Sequence, residues 1–509
     1  MLIESERIEI YEGDRIGLVG KNGTGKTTLL QTLAGMLTPE TGIIERYGMI
    51  EYLPQLKEQE SYKSGGEMTQ QYIQRAFSKQ AGILLADEPT THLDIEHIEW
   101  VESALQHWKG AYVIVSHDRA FLDRVCRTIW EIDNQKLNVF KGSYEQFSEQ
   151  KKRQAKEHEQ KYKNYVMKKQ QLEKALHQKK EKAKRATKKP KQLSASEAKI
   201  TGAKPYFAKK QKKLDKAAKT IETRLQKLEK VEKPFEEKPL KMSLPYQEQV
   251  YNKTIIQVNG LQGAVGERLL WEKASFVIKG GDKVAIIGPN GSGKTTLLNK
   301  ILRRVDGVTV SPACRFGYFK QDLSILDEDK TILENVKENS TYDETFLRTV
   351  LARLKFKRED VFKQVHLLSG GEKVKVALAK IFVSDNNTLV LDEPTNFLDI
   401  EAVEALEKLL MDYEGTLLFV SHDRRFVEKV ATKLIVIENR QLRFFDGTYS
   451  QYKQIKKNKE KQERKEQLLL IETKLSDVIS RLSVDPSLEL EQQYERLLRE
   501  KQKLINEID

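Results

Sequence analysis

Two glycine-rich stretches, GKNGTGKT from Gly20 to Thr27 and GPNGSGKT from Gly288 to Thr295, both fit G-x-x-x-x-G-K-[ST]. Residues of these types at this spacing bind a polyphosphate. The glycines let successive backbone N–H groups, those of Asn22, Gly23 and Gly25 or of Asn290, Gly291 and Gly293, face phosphate oxygens at the positive end of a helix that Thr28 and Thr296 continue. Lys26 and Lys294 are placed to reach the β and γ phosphates, and the hydroxyls of Thr27 and Thr295 to hold Mg²⁺. Two acid pairs, at the ends of ILLADE (Ile83 to Glu88) and TLVLDE (Thr388 to Glu393), supply what phosphoryl transfer also needs. Asp87 and Asp392 are expected to hold Mg²⁺, and Glu88 and Glu393 to polarise the attacking water. His117 and His422 end the runs AYVIVSH and TLLFVSH, and each is suited to sense the γ-phosphate beside the glutamate. An isolated acid pair is commonly a solvated turn, and an isolated histidine commonly structural. Both bland readings fail here because Pro-Thr and a further aspartate, Asp94 or Asp399, follow at the same distance in both places.

The elements that must position these groups come from an internal repeat. The phosphate loops recur at an offset of 268, whereas Ser64 and Ser369, Asp87 and Asp392, His117 and His422, and Tyr144 and Tyr449 all share an offset of 305. The apolar runs before each loop, RIGLV and KVAII, read as buried strands, and TTLL after each opens a helix. The expected fold class is therefore α/β, with two copies of one P-loop domain.

Charge separates a third region. The net charge is +13, yet residues 151–240 hold 30 Lys and Arg against 11 Asp and Glu, an excess of 19 that leaves the rest of the chain at −6. One basic segment with an anionic partner is implied, rather than a uniformly basic surface. No stretch has the 18 or so consecutive apolar residues of a spanning helix, and the start MLIESERIEI lacks the pattern of a secretory signal, so a cytoplasmic protein is expected. Cys126 and Cys314 lie far apart without CxxC spacing or neighbouring His, which argues against a disulfide framework or zinc site and for buried fillers.

With these motifs in order, the chain resembles the ATP-binding cassette superfamily, of which SGGE at Ser64 and Ser369 is the signature. The resemblance implies ATP as the nucleotide. It also implies that each signature completes the site of the opposite cassette, with Ser369, Gly370 and Gly371 closing over nucleotide on Lys26, and Ser64, Gly65 and Gly66 over nucleotide on Lys294. Gln55 in EYLPQ and Gln321 in GYFKQ resemble the glutamines that join the Mg²⁺ site. Two cassettes, a long charged linker and DEPTNFLD in the second copy resemble the ABC-F family over nearly the whole chain. The short path from Gln55 to Ser64, the linker segments ATKKPK and GAKPYFAKKQKK and the C-terminal extension resemble its ribosomal protection proteins of the Vga type. What this implies is a cytoplasmic monomer with an intramolecular cassette pair and no membrane partner. It would bind the 70S ribosome through 23S rRNA and P-site tRNA and counter lincosamide, streptogramin A and pleuromutilin antibiotics. The alternatives are an ABC-F factor that relieves stalled ribosomes without a role in resistance and, less favoured, the ATPase subunit of a transporter. A chromosome or DNA-repair ATPase would carry its coiled coil inside one cassette, which this chain does not.

Two departures mark the first copy. Eight residues separate Gln55 from Ser64 where 47 separate Gln321 from Ser369, so most of a helical subdomain is expected to be missing. Only 19 residues precede Gly20, whereas the 34 from Thr254 to Ile287 precede Gly288, so a leading strand is expected to be missing too. No aromatic suited to stacking on adenine stands out in either copy, with Trp271 the weak exception.

In the linker, His158, Tyr162, Tyr165, Lys169, Leu172 and Leu176 alternate spacings of four and three, as do Leu214, Ala218, Ile221, Leu225 and Leu228. Two facing seams predict an antiparallel helical hairpin, its first helix running from about Tyr144 to Lys189 until Pro190 breaks it. The tip, about 190–209, contains Ser194, Ala195, Ser196, Lys199, Gly202, Ala203, Tyr206, Phe207 and Lys209. Gly202 and Pro205 are expected to turn the chain there, with the small residues giving a narrow end. Beyond about Lys456, Leu468, Ile471, Leu475, Val478 and Leu482, then Leu490, Tyr494, Leu497 and Leu504, predict a second, smaller hairpin broken at VDPS. The expected domains are thus a first cassette over 1–143, a linker over 144–240, a second cassette over 250–455 and a C-terminal extension over 456–509.

Overall fold

The computed structural model describes residues 3–4, 7–55, 65–79, 81–91, 93–186, 203–232, 251–320, 323–357, 359–484 and 488–508. It divides into two compact units, Glu145–Lys238 and the remainder.

Within the larger unit each copy of the repeat builds a six-stranded sheet. The first comprises β1 (Arg15–Gly20), β2 (Ile50–Leu53), β3 (Ile83–Asp87), β4 (Ala111–Val115), β5 (Thr128–Asp133) and β6 (Lys136–Lys141), in the order β2-β3-β4-β1-β5-β6. All neighbours are parallel except β5 and β6. Parallel sheets are covered on both faces, so their central strands must be apolar throughout rather than alternating. Accordingly β4 is buried at all five residues, and Leu18, Leu85 and Val113 on three adjacent strands are fully enclosed.

The second copy repeats this plan and adds to it. A three-stranded antiparallel sheet of β7 (Thr254–Val265), β8 (Arg268–Lys279) and β10 (Val308–Val310) accompanies a second parallel-type sheet. That sheet contains β9 (Lys283–Ile287), β11 (Phe316–Phe319), β12 (Thr388–Asp392), β13 (Thr416–Val420), β14 (Lys433–Glu438) and β15 (Gln441–Phe445) in the order β11-β12-β13-β9-β14-β15. Among the described residues the first copy has no counterpart of β7, β8 and β10. Helices Ile332–Lys337 and Glu344–Arg353 pack beside the signature helix Gly370–Phe382 in the second copy, through Leu347, Val350 and Leu351 among others.

The smaller unit contains helix Glu145 onward of Tyr144–Ala186 and helix Ala203–Gln226. At 1.5 Å per residue they span about 65 and 36 Å. Lys180 and Glu222 form an ion pair across them at 2.5 Å, and Ala183 and Ala218 are buried. Tyr162, Tyr165, Leu172, Leu176, Leu214, Ile221, Leu225 and Leu228 are half-buried. His158 and Lys169, which share the seam spacing, are instead exposed. The shorter second helix ends at Gln226, four residues beyond Glu222.

The tip also departs from expectation. Pro205 does not turn the chain but lies in the first turn of helix Ala203–Gln226, where its missing N–H costs no hydrogen bond. Ala203, Tyr206, Phe207 and Lys209 therefore belong to helix rather than loop, and Lys209 is exposed. Ser194, Ala195, Ser196, Lys199 and Gly202, with Lys189 and Pro190, lie outside the described residues.

At the C-terminal end, helix Tyr449–Val484 and helix Leu488–Ile508 enclose Leu475, Val478 and Leu497, with Ile471, Leu482, Leu490 and Tyr494 against them. Both cysteines are free and buried. Among the described residues no helix is long and apolar enough to cross a membrane.

Candidate functional site

Strands β1, β3 and β4 are parallel neighbours and so end on the same edge of their sheet. This places the phosphate loop after Gly20, the Asp87–Glu88 pair and His117 side by side, as expected for a site at the carboxyl ends of parallel strands. Strands β9, β12 and β13 do the same for the second copy. The two edges face each other across one cleft of about 1060 Å³. It is lined from both copies, by Lys26, Thr27, Thr28, Gln55, Asp87, Glu88 and His117 and by Lys294, Thr295, Thr296, Asp392, Glu393 and His422. Asn22, Gly23, Gly25, Asn290, Gly291, Gly293, Ser369, Gly370 and Gly371 line it as well.

Each phosphate loop wraps its own lysine. Lys26 Nζ donates to the carbonyls of Gly20 (2.7 Å) and Lys21 (3.0 Å), and Lys294 Nζ to those of Gly288 (2.9 Å) and Pro289 (3.1 Å). Burial lowers both ammonium pKa values, opposed by the nearby carboxylates of Glu88 and Asp399 or of Glu393 and Asp94. The turn requires glycine at its head, because a Cβ on Gly20 or Gly288 would lie 2.8 or 2.3 Å from the carbonyl oxygen of Ile132 or Ile437.

The acidic groups repeat with equal fidelity. Burial raises both Asp87 and Asp392, while hydrogen bonds from Thr27 and Thr295 pull the other way. Thr295 Oγ1 stands 3.3 Å from Asp392 Oδ1. Glu88 Oε2 accepts the backbone N–H of His117 at 3.3 Å, and His117 Nε2 lies 3.3 Å from Glu88 Oε1; the Glu393–His422 distances are 3.3 and 3.2 Å. Glu393 is pushed up to about 7, principally by burial. Glu88 and Glu393 also share a left-handed backbone, with φ of 51° and 50°. That conformation costs a non-glycine residue about 1–3 kcal/mol and concentrates at functional sites, where surrounding structure enforces it.

The copies complete one another. Asn22 Nδ2 donates to the Phe397 carbonyl at 2.9 Å, and Gly371 of the second signature lies against the same two groups. Asp94 and Asp399, recognised in the sequence only as spacing, each do two things. Asp94 caps helix Ile95–Gln106 through the N–H of His97 and, with its other oxygen, accepts the N–H of Asn290 at 2.9 Å. Asp399 caps helix Ile400–Met411 through Ala402 and accepts the N–H of Asn22 at 3.3 Å. Burial would raise Asp94, but the N–H groups of Asn290 and His97 outweigh it and hold the carboxyl below its usual range. Gly65 and Gly66 open helix Gly65–Ser78; Ser64 and Gln321 lie outside the described residues.

Trp271 is no adenine platform. It is fully enclosed, and its indole fills the space that glycine leaves at positions 263 and 293, where a Cβ would stand 2.3 and 2.4 Å from the ring. Sequence reading also missed Arg119 and Arg424, which directly follow the repeated Ser-His-Asp. The repetition was a usable signal, although it does not identify their partners in the other copy.

Gly371→Ala tests the closed arrangement. The added Cβ would lie 2.6 Å from the Phe397 carbonyl oxygen and 3.0 Å from Asn22 Nδ2, and overpacking of about 1–3 kcal/mol corresponds to a loss of ATP turnover of about 5- to 160-fold. Gly48→Ala, with open space around the added atom, is the control; steady-state ATPase measurements compare them.

Comparison with known proteins agrees with this geometry. A family model described as ABC transporter matches residues 4–59 and 271–396. The chain is 34% identical to ribosome protection protein VmlR of Bacillus subtilis (strain 168), over 98% of this chain and 94% of that protein. It is 35% identical to the erythromycin resistance ATP-binding protein MsrA of Staphylococcus epidermidis, over 84% of this chain and 93% of the relative. ABC transporter F family member 5 of Arabidopsis thaliana is 34% identical over 76% of this chain and 53% of its own length. Among solved structures, RNase-L Inhibitor shares the fold, with a TM-score of 0.56 at 20% identity over 86% of both chains. Paired phosphate loops, crossed capping aspartates and this likeness over nearly the full length lead to one conclusion: the chain is an ATPase of the ABC-F family.

Proposed function

We propose that this ATPase binds the 70S ribosome in the cytoplasm and, with ATP closing its two cassettes, directs its linker toward the peptidyl-transferase centre beside the P-site tRNA. Contacts with 23S rRNA would carry much of the affinity. The outcome would be protection against lincosamide, streptogramin A and pleuromutilin antibiotics. The observation that carries this reading is the likeness to a protein named for ribosome protection, which spans cassettes, basic linker and C-terminal extension together. The domains we assign are cassettes over 1–143 and 250–455, a linker over 144–240 and an extension over 456–509.

For hydrolysis, we assign Glu88 and Glu393 to orient the attacking water and take its proton. A pKa near neutrality, as at Glu393, suits a group that must accept a proton at physiological pH. His117 and His422 hold those carboxylates in place. Lys26 and Lys294, with the loop N–H groups, bind the β and γ phosphates, and each signature closes over the opposite nucleotide. Mg²⁺ fits the donor set: Asp87 Oδ2 is a buried oxygen without a hydrogen-bond partner. Thr27, Gln55 and Asp87, and Thr295, Gln321 and Asp392, would hold it. When bound, the ion neutralises charge on the phosphate oxygens.

Co-sedimentation with purified ribosomes, with and without ATP, tests the partner. Binding that needs ATP is expected; absence of binding in both conditions overturns the reading. The arms give a finer test. Lys161, Lys168, Lys174 and Lys182 are exposed along the long helix. Alanine at all four should flatten the salt dependence of ribosome affinity, by roughly 0.7–0.9 in log K per log salt for each phosphate that a lysine no longer neutralises. An unchanged slope would make the arms solvated spacers.

A further inference from the structure

Helices Arg119–Val125 and Arg424–Val430 begin directly after the Ser-His-Asp of each copy, and their first residues are arginines only 1% and 5% exposed. Among the described residues, every carboxylate paired with Arg119 belongs to the second cassette. Its guanidinium bonds Glu407 and stands 3.5 Å from Glu404 and 3.7 Å from Asp423. Among the described residues, every acceptor of Arg424 belongs to the first cassette: Glu102 at 3.1 Å, the Ile95 carbonyl at 3.1 Å and Glu99 at 3.9 Å. The carboxylates differ in one respect. Glu102 also has Arg124 of its own cassette at 2.5 Å, and Glu407 has Lys429 at 2.7 Å. Separation of the cassettes would leave both glutamates with a cationic partner and both arginines without a carboxylate.

The position of the arginines gives this asymmetry a consequence. Asp118 caps the helix that Arg119 opens, accepting from Ala120 and Phe121 at 2.9 and 3.0 Å, and Asp423 caps the other through Phe426 at 2.9 Å. The residue before each cap is the histidine whose backbone N–H holds Glu88 or Glu393. A continuous path therefore runs from Glu407 through Arg119, Asp118 and His117 to Glu88, and its mirror from Glu102 through Arg424, Asp423 and His422 to Glu393. Arg119 additionally lies beside Asp423, so it adjoins the histidine segments of both cassettes.

We propose that Arg119 and Arg424 are positioning residues that make hydrolysis at each ATP site depend on closure around the other. Their guanidiniums meet these carboxylates only when the cassettes meet, and closure that buries an arginine is tolerable only if it delivers the partner. Pairing draws the two short helices, and with them the histidines and glutamates, into the arrangement that activates water. The inference rests on the assignment of Glu88 and Glu393 made above.

The test is a double-mutant cycle on the full chain in a Glu393→Gln background, where only the first site turns over. Lys294→Ala, which removes nucleotide from the second site, should lower first-site kcat when Arg119 is present. Arg119→Met should lower kcat roughly tenfold with KM for ATP changed less than about twofold, since an effect on kcat without KM marks the reacting state rather than ground-state binding. Adding Lys294→Ala to Arg119→Met should then have no further effect, and Arg119→Lys should recover part of both kcat and the coupling. Multiplying effects of Arg119→Met and Lys294→Ala would reduce the arginines to interface packing. Glu407→Gln runs the same cycle from the other side of the pair should Arg119→Met fold poorly. If the chain with both Glu→Gln changes still hydrolyses ATP, the site assignment falls and this inference with it. If that chain is inactive while the factors multiply, this inference alone falls.

Discussion

A chain carrying Glu88→Gln and Glu393→Gln together is expected to bind ATP as the parent does and to hydrolyse it roughly 100-fold more slowly or worse, the range that removal of a positioned base produces. The geometry separates the two effects. Nucleotide contacts come from the phosphate loops and Lys26 and Lys294, whereas each glutamate sits beyond its strand end and is held by the following histidine at 3.2–3.3 Å. Glutamine keeps the size and an oxygen to accept the histidine N–H but cannot take a proton. The left-handed backbone at both positions is unaffected by the change. Nucleotide binding by filtration and phosphate release measure the two halves, and in the presence of ribosomes the variant should remain bound with ATP. Turnover at the parental rate would show that these carboxylates do not activate water.

Replacing Ser194 to Ala203 by a short Gly-Ser turn is expected to abolish protection of translation against lincosamide and pleuromutilin while leaving ATP hydrolysis and most ribosome affinity in place. On the function proposed above, a drug near the tRNA acceptor end would be displaced by contact or by a shift of tRNA and rRNA, and both would need the length and shape of the tip rather than one group. The cassettes that hydrolyse ATP form a unit separate from Glu145–Lys238, so shortening the linker end does not touch the catalytic residues. Single changes at Ala195, Gly202, Ala203 or Lys209 should shift which drugs are resisted, because they reshape the end without removing it. Translation in vitro with each drug, at equal ribosome occupancy, measures this. Full protection by the shortened chain would make the segment a connector only.

Most of the ATP chemistry was legible because it is local. A phosphate loop, a strand ending in two acids and a strand ending in histidine each carry their function within a few residues, and their repetition removed the bland alternatives. The seams of the two hairpins were legible for a similar reason, since helical spacing is a local property. Expectation failed where the answer depended on a neighbour distant in sequence. His158 has seam spacing but is exposed, Pro205 is compatible with either a turn or a helix start, and Trp271 is aromatic but buried behind Gly263 and Gly293.

What the sequence alone determined is thus the two sets of motif residues that the fold brings to one cleft and the basic segment between them, because residue type and short spacing suffice for each. Only the tertiary structure decided how the halves answer one another. The aspartates that cap one helix while holding the opposite loop and the arginines paired across the cassettes join residues that local spacing cannot connect, and the left-handed backbone of the glutamates is likewise not legible from spacing. Asp94 and Asn290 lie 196 positions apart and Arg119 and Glu407 lie 288; folding makes them neighbours because burying a charge is tolerable only where a partner of opposite sign or a donor waits.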